Sequence, residues 1–332
     1  MITRRHILAA AAATMLLAPT VHHANAATTL DLSTVWPDAN FHVRNLKTYS
    51  AAVAKATGGD LKINVHAGGA LGFKGPEQLR AVRDGLVPMA DVLAGQQVGD
   101  EPIMGLTNTA FLITSSDELK TMLKIFRPTL DKIATKYNQK ILYIVPWPTQ
   151  YLHLKVKTHT LSGLKGIKIR AATKAAAEMC DAIGMSAVVI PWGDVVPALA
   201  SGRIDGVTTS AVSGVDGKFW EFLKYVYPTN HSWSIDLVTI NLDTYKKLPA
   251  KDQKALVDLG KKLQPDFWGV STNDDQTSLK TLLDHGMELV KIPPAMMKEM
   301  QKRSAPLLED FLKRAPAARP IVKKYLAEVG RS

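Results

Sequence analysis

The chain has 332 residues, of which 46% are hydrophobic and 21% are charged, and its formal net charge is +11 at pH 7. A single cysteine, Cys180, excludes an intramolecular disulfide, so a chain of this length has to be stabilised by a large core. The basic residues are scattered over predicted helices without a dense tract, which argues against nucleic acid as a partner.

The chain begins with the features of an export signal. The pair Arg4-Arg5 precedes an apolar run that ends near Pro19, and Ala24-Asn25-Ala26 is typical of a cleavage site. The arginine pair fits twin-arginine export and ordinary secretion equally well. Removal of residues 1–26 would leave 306 residues with a charge of +9 and no stretch of the roughly 20 apolar residues that a membrane span needs. We therefore expect a periplasmic protein that does not itself span the membrane.

The first part of the predicted mature chain is a strand–helix–strand–helix–strand unit. Its strands are LDLSTVW, LKINVHAG and MADVLAG, and its helices run from PDAN to about Ala56 and over GPEQLRAVRDG. This order indicates an α/β layer with parallel pairing, whose ligands bind beyond the carboxyl ends of the strands. Helical sequence from about Ser116 to Tyr137 and the extended segments KILYIVPW and LHLKVK follow.

The α/β order starts again at LSGLKGIKIRAAT. A helix over Lys174–Ile183, the strand SAVVI, a helix over Asp194–Ala200 and the strand RIDGVTTS complete the second unit. Gly85 in the first unit and Gly202 in the second stand where a left-handed residue commonly ends a helix. The sequence therefore predicts two similar α/β lobes with a cleft between them.

The last third of the chain is predicted to be mainly helical. After the strand IDLVTINL, we expect helices from Pro249 to Phe267 and from about Thr272 to Leu289, and further helices close the chain. Amphipathic spacing, as at Leu308 and Phe311, is typical of helices that cover a lobe.

Catalytic and metal-binding signatures are absent from the sequence. It contains no GxSxG, no HExxH, no GxGxxG after a strand and no GxxxxGK[ST]. None of the histidines that follow the export signal stands at metal-ligand spacing from another. We therefore expect a protein that is not an enzyme and that uses no metal and no cofactor.

This search leaves unexplained Arg170 and a set of aromatic residues in loops after strands, namely Trp36, Trp147 with Gln150 and Tyr151, Trp192, and Phe219-Trp220. A short apolar strand, Ile167–Ile169, runs directly into Arg170, and a helix follows whose unpaired amides can face the same anion as the guanidinium. The planar guanidinium matches a carboxylate with two parallel hydrogen bonds, which a lysine cannot do. An arginine at a sheet edge, packed against solvent-facing residues, fits the same pattern, and the strand pattern does not decide between these two interpretations.

The segment from Leu164 to His231 resembles the substrate-binding proteins of tripartite ATP-independent periplasmic (TRAP) transporters, the DctP-type family. It carries LKGIKIRAAT, AIGMSAVVIPWGDVVPALASGRIDGVTTS and KFWEFLKYVYPTNH in the order and spacing of that family. The similarity extends through GGALGFKGPEQLRAVRDGLVPMADV and INLDTYKKLPAKDQKAL. It implies a two-lobed, periplasmic-binding-protein-like α/β fold with a central cleft and a long helix that spans the hinge.

The resemblance also implies which residues bind the ligand. In that family, the arginine at the position of Arg170 forms the principal salt bridge with the ligand carboxylate, and the aromatic residue at the position of Trp192 lines the same pocket. Thr209 stands where the family has asparagine. The expected ligand-binding set is completed by Trp36, Gln96, Trp147 and Gln150.

The implied partners are a small organic acid and the membrane subunits of a permease driven by a sodium gradient. We assign residues 27–147 and about 235–275 to lobe I, and residues 148–234 and about 276–332 to lobe II. The receptor of another importer or of a sensor system, or an exported hydrolase or lyase, are the alternative functions.

Departures from the family pattern bear on the ligand. Thr209 replaces the family's asparagine, so the side-chain amide is lost, and Leu152 stands where many family members have a second arginine. The segment that is acidic in some sugar-acid binders is Phe73-Lys74 in this chain. A sugar acid would leave hydroxyl groups unmatched in such a pocket, at about 1–3 kcal/mol each. We therefore expect a monocarboxylate with an aromatic or short aliphatic body, such as a 2-oxo or 2-hydroxy acid.

Overall fold

The computed structural model describes residues 27–331, so the predicted export signal lies outside the described residues. The strands are β1 (Thr28–Ser33), β2 (Leu61–His66), β3 (Met89–Leu93), β4 (Gln139–Pro146), β5 (Tyr151–Leu154), β6 (Lys168–Ala171), β7 (Ser186–Val189), β8 (Gly206–Thr209), β9 (Tyr225–Tyr227), β10 (Ile235–Asn241) and β11 (Glu288–Leu289). The helices are α1 (Phe41–Ala56), α2 (Gln78–Arg83), α3 (Ser116–Lys136), α4 (Lys174–Ala182), α5 (Val195–Ala200), α6 (Ala211–Asp216), α7 (Leu242–Lys247), α8 (Ala250–Asp284), α9 (Pro294–Ser304), α10 (Pro306–Arg314) and α11 (Arg319–Glu328).

The strands form two mixed sheets, one in each lobe. The first has the order β2-β1-β3-β10-β4, and β1 pairs in parallel with β2 and β3. The second has the order β11-β9-β5-β8-β6-β7, and β6 pairs in parallel with β7 and β8. The two predicted units of parallel strands, and the two-lobed α/β fold, are therefore confirmed.

The repeat between the lobes extends to the strand that lies next to each parallel unit in its sheet. In the first sheet β10 lies antiparallel beside β3, and in the second sheet β5 lies antiparallel beside β8. The chain passes between the lobes four times: from β4 to β5, from β9 to β10, along α8 to β11, and from α9 to α10. As predicted, Gly85 and Gly202 follow helices α2 and α5 with φ angles of 71° and 69°, which glycine adopts without steric cost.

Helix α8 closes the free edge of the first sheet. Strand β4 is the edge strand, and the backbone of Ile144 is capped by side chains of α8: its N–H donates to Gln264 Oε1 at 2.9 Å, and its carbonyl oxygen accepts from Trp268 Nε1 at 2.9 Å. Ser271 donates to the Pro146 carbonyl oxygen at 2.8 Å. Since an uncovered edge strand is a template for unwanted pairing, these contacts protect the sheet as well as fixing α8.

The separation of residues 249–267 and 272–289 into two helices was wrong. One helix runs through Pro265 and ends at Asp284, and Gly286 follows with φ of 91°. A proline removes only one hydrogen bond from a helix, and the contacts with β4 on both sides of Pro265 hold the helix in place. The sequence pattern contains no information about these long-range contacts.

The C-terminal helices differ from the assignment of residues about 276–332 to lobe II. Helix α9 packs on that lobe, because Met300 belongs to the same apolar cluster as Cys180. Helices α10 and α11 return to lobe I, where Phe311 and Tyr325 share a cluster with residues of α3 such as Phe126. Amphipathic spacing shows that a helix covers a core, but it does not show which core.

Candidate functional site

A cavity lies between the lobes, beyond the carboxyl ends of the parallel strands. The space between its lining atoms, counted together with the open solvent at its mouth, is about 300 Å³. Both sheets contribute, because β1 and β3 lead into one wall, and β6, β7 and β8 lead into the other. The lining residues are Trp36, Leu93, Trp147, Gln150, Arg170, Ala172, Trp192, Thr209, Ser213 and Ser234.

Arg170 is the one residue with a charged side chain among those that line this cavity. The side chain is only 1% exposed, and its Nε donates a hydrogen bond to the Ile190 carbonyl oxygen at 2.9 Å. Within residues 27–331, no carboxylate forms an ion pair with it. Burial lowers the pKa of Arg170 to about 9, so the guanidinium is still charged at pH 7.

The local structure explains how an arginine comes to be buried at this point. Strand β6 lies between β8 and β7 in the sheet, so the interpretation as a solvent-facing sheet-edge arginine was wrong. Thr173 then caps helix α4, since its hydroxyl accepts a hydrogen bond from the Ala176 N–H at 3.3 Å. This cap fixes the turn that directly follows Arg170.

Three tryptophans form the aromatic part of the cavity wall. The ring centroids of Trp36 and Trp147 are 4.7 Å apart in an edge-to-face arrangement, and those of Trp36 and Trp192 are 6.4 Å apart. The guanidinium carbon of Arg170 lies 6.0 Å from the centre of the Trp192 ring, within cation–π range. The cavity therefore combines one positive charge with flat apolar surfaces.

Small polar groups complete the lining. Thr209, at the end of β8, and Gln150 are both buried, and the Gln150 side-chain amide donates to the Pro148 carbonyl oxygen at 2.9 Å. Ser213 and Ser234 were not predicted. Ser213 lies in the first turn of α6 and Ser234 directly precedes β10, and a serine in such a position gives no distinctive sequence signal.

Gln96 is the predicted site residue that the structure places outside the cavity lining. Its side-chain amide, on lobe I, donates to the carbonyl oxygen of Ala172 on lobe II at 3.2 Å. Gln96 therefore joins the two lobes at the rim of the cavity.

Further polar contacts also connect the lobes. Asn40 Nδ2, at the start of α1, donates to Asp216 Oδ2 at 2.6 Å, and Lys74 Nζ lies 3.2 Å from Asp194 Oδ2. Lys74 and Asp194 are exposed, so their ion pair contributes little. The structure therefore shows the lobes closed on the cavity, with a small set of polar contacts across the cleft.

A buried carboxylate lies behind the aromatic wall. Asp236 Oδ2 accepts a hydrogen bond from Trp36 Nε1 at 2.8 Å, and Asp236 Oδ1 accepts one from Trp147 Nε1 at 3.1 Å. Asp91 and His42 lie beside it, and the three side chains are at most 2% exposed. Sequence reasoning missed this group, although an aspartate within the apolar strands MADVL and IDLVTIN is an unusual feature that could have marked it.

A larger groove lies on the outer face of lobe I, between α3 and α8. It contains about 1220 Å³ of open space and is lined by residues such as Lys124, Arg127 and Trp268. It is remote from the ends of the parallel strands, and it lacks an enclosed charge of the kind that Arg170 provides. We therefore take the interlobe cavity as the functional site.

Among residues 27–331, no helix combines the length and the apolar composition that crossing a membrane requires.

Comparison with known proteins gives one family and close structural neighbours. The model of the family DctP, described as bacterial extracellular solute-binding protein, family 7, matches residues 32–314. The structure is similar to that of DctP7 of Bordetella pertussis, an extracytoplasmic solute receptor that binds pyroglutamic acid. The TM-score is 0.87 and the sequence identity 29%, over 90% of this chain and 99% of that chain.

Two other similar proteins are also described as solute-binding proteins. A marine metagenome TRAP solute-binding protein specific for pyroglutamate gives a TM-score of 0.86 at 27% identity, over 90% of this chain and 98% of that chain. A solute-binding protein of Sulfitobacter sp. strain NAS-14.1 is 23% identical over 98% of this chain and 93% of its own length.

Proposed function

This chain belongs to the DctP family of extracellular solute-binding proteins of TRAP transporters, and from that premise we propose that it captures a small monocarboxylate between its lobes and delivers it to a TRAP permease. The observation that carries the proposal is the guanidinium of Arg170, which is buried and has no carboxylate partner within residues 27–331. A buried charge without a partner is strongly unfavourable, and a carboxylate in the cavity supplies the missing partner with two parallel hydrogen bonds.

The rest of the cavity restricts the class of carboxylate. Its volume is small, three indoles form much of its wall, and its lining offers no second charge. A dicarboxylate would bury one negative charge unpaired, and a sugar acid would bury several hydroxyl groups without partners. A compact monocarboxylate with a flat or short body fits these conditions.

Pyroglutamate is one member of this class, and aromatic, 2-oxo and 2-hydroxy monocarboxylates are others. Two structural neighbours above 25% identity bind pyroglutamate, which supports this acid as the first probe. Thr209, Ser213, Ser234 and Gln150 offer hydroxyl and amide groups that can match the lactam or an equivalent polar group. The indole faces accept the remaining ring or chain.

Closure of the lobes is the proposed mechanism. The ligand contacts Arg170 on lobe II and Trp36 and Trp147 on lobe I, so it stabilises the closed state by its differential affinity for that state. Contacts such as Gln96 with Ala172 form at the same time. The closed receptor, exported to the periplasm, then presents its ligand to the sodium-driven membrane subunits.

A thermal-shift screen of the purified protein against monocarboxylates, dicarboxylates and sugar acids tests this proposal. Ligand at 100 times its dissociation constant adds about 2.7 kcal/mol of stability, which shifts the melting temperature by several degrees. We expect the shift with compact monocarboxylates and not with sugar acids. Shifts confined to sugar acids, or turnover of an acid in place of stoichiometric retention, would contradict the proposal.

A further inference from the structure

Three buried ionisable side chains lie directly behind the tryptophans of the cavity. They are His42 on α1, Asp91 on β3 and Asp236 on β10. One carboxylate oxygen of each aspartate and one ring nitrogen of His42 all lie within 4.8 Å of one another, and His42 Nε2 is 3.7 Å from Asp236 Oδ2. None of the three lines the cavity itself, so the proposed function leaves them unused.

Two carboxyl groups this close and this deeply buried cannot both be ionised without a compensating charge. Desolvation raises the pKa of Asp91 and of Asp236, and a negative charge on Asp91 raises that of Asp236 further. One of the two carboxyl groups therefore carries a proton. The other ionisable groups that face the pair are His42 and Tyr143, and burial lowers the pKa of His42 and raises that of Tyr143, which favours their neutral forms.

The hydrogen bonds identify which aspartate is ionised. Both oxygens of Asp236 accept an indole N–H, from Trp147 and from Trp36, and N–H donors stabilise the charged form of a carboxyl group. Asp91 Oδ2 accepts one hydroxyl, that of Thr34, at 3.2 Å. Asp91 Oδ1 is buried and has no hydrogen-bond partner among the described residues, so a proton on this oxygen breaks no other hydrogen bond.

We propose that Asp91 and Asp236 share one proton, carried by Asp91, and that the ionised Asp236 is a positioning residue that fixes the indoles of Trp36 and Trp147 in the cavity wall. Because both indoles are tied to one carboxylate, neither ring can rotate without losing its hydrogen bond. The spacing of the two rings, and with it the shape of the ligand that fits, is thus set from behind the site. The effect on ligand choice rests on the proposed function, whereas the shared proton concerns the protein alone.

Two isosteric variants separate the roles of the aspartates. In Asp91→Asn, the amide mimics a protonated carboxyl group, because it donates to Asp236 and still accepts from Thr34. In Asp236→Asn, an NH₂ group, which donates hydrogen bonds, replaces one of the two carboxylate oxygens. The indole N–H that this oxygen accepted therefore loses its hydrogen bond. The proposal therefore expects the first variant to be mild and the second to be damaging.

The first measurement needs no ligand. Indole N–H resonances of Trp36 and Trp147 are assigned in ¹H–¹⁵N spectra with the variants Trp36→Phe and Trp147→Phe. We expect both resonances to keep their positions in Asp91→Asn and at least one to move in Asp236→Asn. In the second measurement, calorimetric titration with L-pyroglutamate, we expect affinity within about threefold of wild type for Asp91→Asn and a loss of at least about tenfold for Asp236→Asn.

The proton itself is tested by the pH dependence of stability. The folded protein holds on Asp91 a proton that the unfolded chain releases above pH of about 4, because burial raises the pKa of Asp91. Its contribution is present at low pH and is lost as pH rises from about 4 through the raised pKa of Asp91. We expect wild type to lose stability relative to Asp91→Asn over this range.

Several outcomes would overturn the proposal. The proposal fails if Asp91→Asn moves the indole resonances, or if the stability curve of this variant runs parallel to that of wild type. A stoichiometric metal ion whose removal by a chelator shifts the indole resonances would show that a cation, not a proton, joins the carboxylates. If Asp236→Asn does not fold, the indole resonances and the stability curve of Asp91→Asn still test the proposal. If wild type does not bind pyroglutamate, the ligand proposal fails, and the spectra and pH curves still test the shared proton.

Discussion

The guanidinium carbon of Arg170 lies 6.0 Å from the centre of the Trp192 ring, and both side chains face the same interlobe cavity. A cation buried beside an aromatic face retains some favourable electrostatic contact, but far less than water or a carboxylate provides. The unliganded site therefore holds a charge that is incompletely compensated. Ligand affinity and protein stability should respond in opposite directions when this charge is removed.

Arg170→Met should abolish most of the affinity and stabilise the unliganded protein. Removal of one partner of a buried ion pair typically costs 2–5 kcal/mol, which corresponds to a loss of about 30-fold to several thousand-fold in affinity. The melting temperature without ligand should rise, because the desolvated charge is gone. Arg203→Met, at an exposed position, is the control and should change neither quantity by more than about 0.5 kcal/mol. Near-wild-type affinity of Arg170→Met would remove the role assigned to this residue.

Trp192→Ala should weaken monocarboxylate binding less than Arg170→Met does. A cation–π contact is worth about 0.5–2 kcal/mol, so we expect a loss of roughly 2- to 30-fold from this term. Trp192→Phe keeps a ring beside the guanidinium and should recover most of the affinity. Titration calorimetry with the same acid measures both variants, and equal losses in the two would show that the ring face is unimportant.

Gln96 and Gln150 should differ in how they affect ligand choice. Gln96 joins the lobes and does not line the cavity, so Gln96→Ala should reduce affinity for all bound acids by a similar factor, about 2- to 10-fold for one hydrogen bond. Gln150 lines the cavity, so Gln150→Ala should change the ratio of affinities between two acids. Affinities of both variants for pyroglutamate and a 2-oxo acid give this comparison. A changed ratio in Gln96→Ala would instead identify Gln96 as a ligand contact.

Asp216 should make stability depend on pH in the acidic range. Burial raises the pKa of Asp216 to about 6, although the hydrogen bond from Asn40 opposes this shift. Because the folded-state pKa exceeds the unfolded value of about 3.9, the stabilising contribution is fully present below pH of about 4 and is lost as pH rises to about 6. Melting curves of ligand-free Asp216→Asn should lack this loss, and the difference from wild type should be constant from about pH 7 upward. Parallel curves from pH 4 to 6 would contradict the assignment.

Two glycines of helix α8 should respond oppositely to alanine. A Cβ atom on Gly260 would lie 2.5 Å from the Leu142 carbonyl oxygen, whereas one on Gly269 would have no neighbour within 4 Å. We expect Gly260→Ala to destabilise the protein by about 1–3 kcal/mol and Gly269→Ala to stabilise it by about 0.5–1 kcal/mol. Urea unfolding of both variants measures this. Equal effects would show that α8 does not pack against β4 as closely as described.

Local patterns were sufficient to predict the two α/β units and their glycine-terminated helices. Alternating strands and helices with short connections leave parallel pairing as the main solution, and Gly85 and Gly202 mark left-handed positions that other residues avoid. The same patterns failed at Pro265 and at helices α10 and α11. In both cases the outcome depends on contacts with residues more than a hundred positions away.

For the site, the sequence by itself determined that Arg170 ends a parallel strand and that tryptophans follow other strands. Strand ends converge by topology, so Trp36, Trp147 and Trp192 could be grouped in advance, whereas Thr209 was predicted from the family resemblance. Only the tertiary structure decided that Arg170 has no carboxylate partner among the described residues, that Gln96 joins the lobes, and that Asp236 holds two indoles. The physical reason is that burial and ion pairing depend on contacts between residues of two different sheets. These residues are far apart in the sequence, so a local sequence pattern does not predict their contacts.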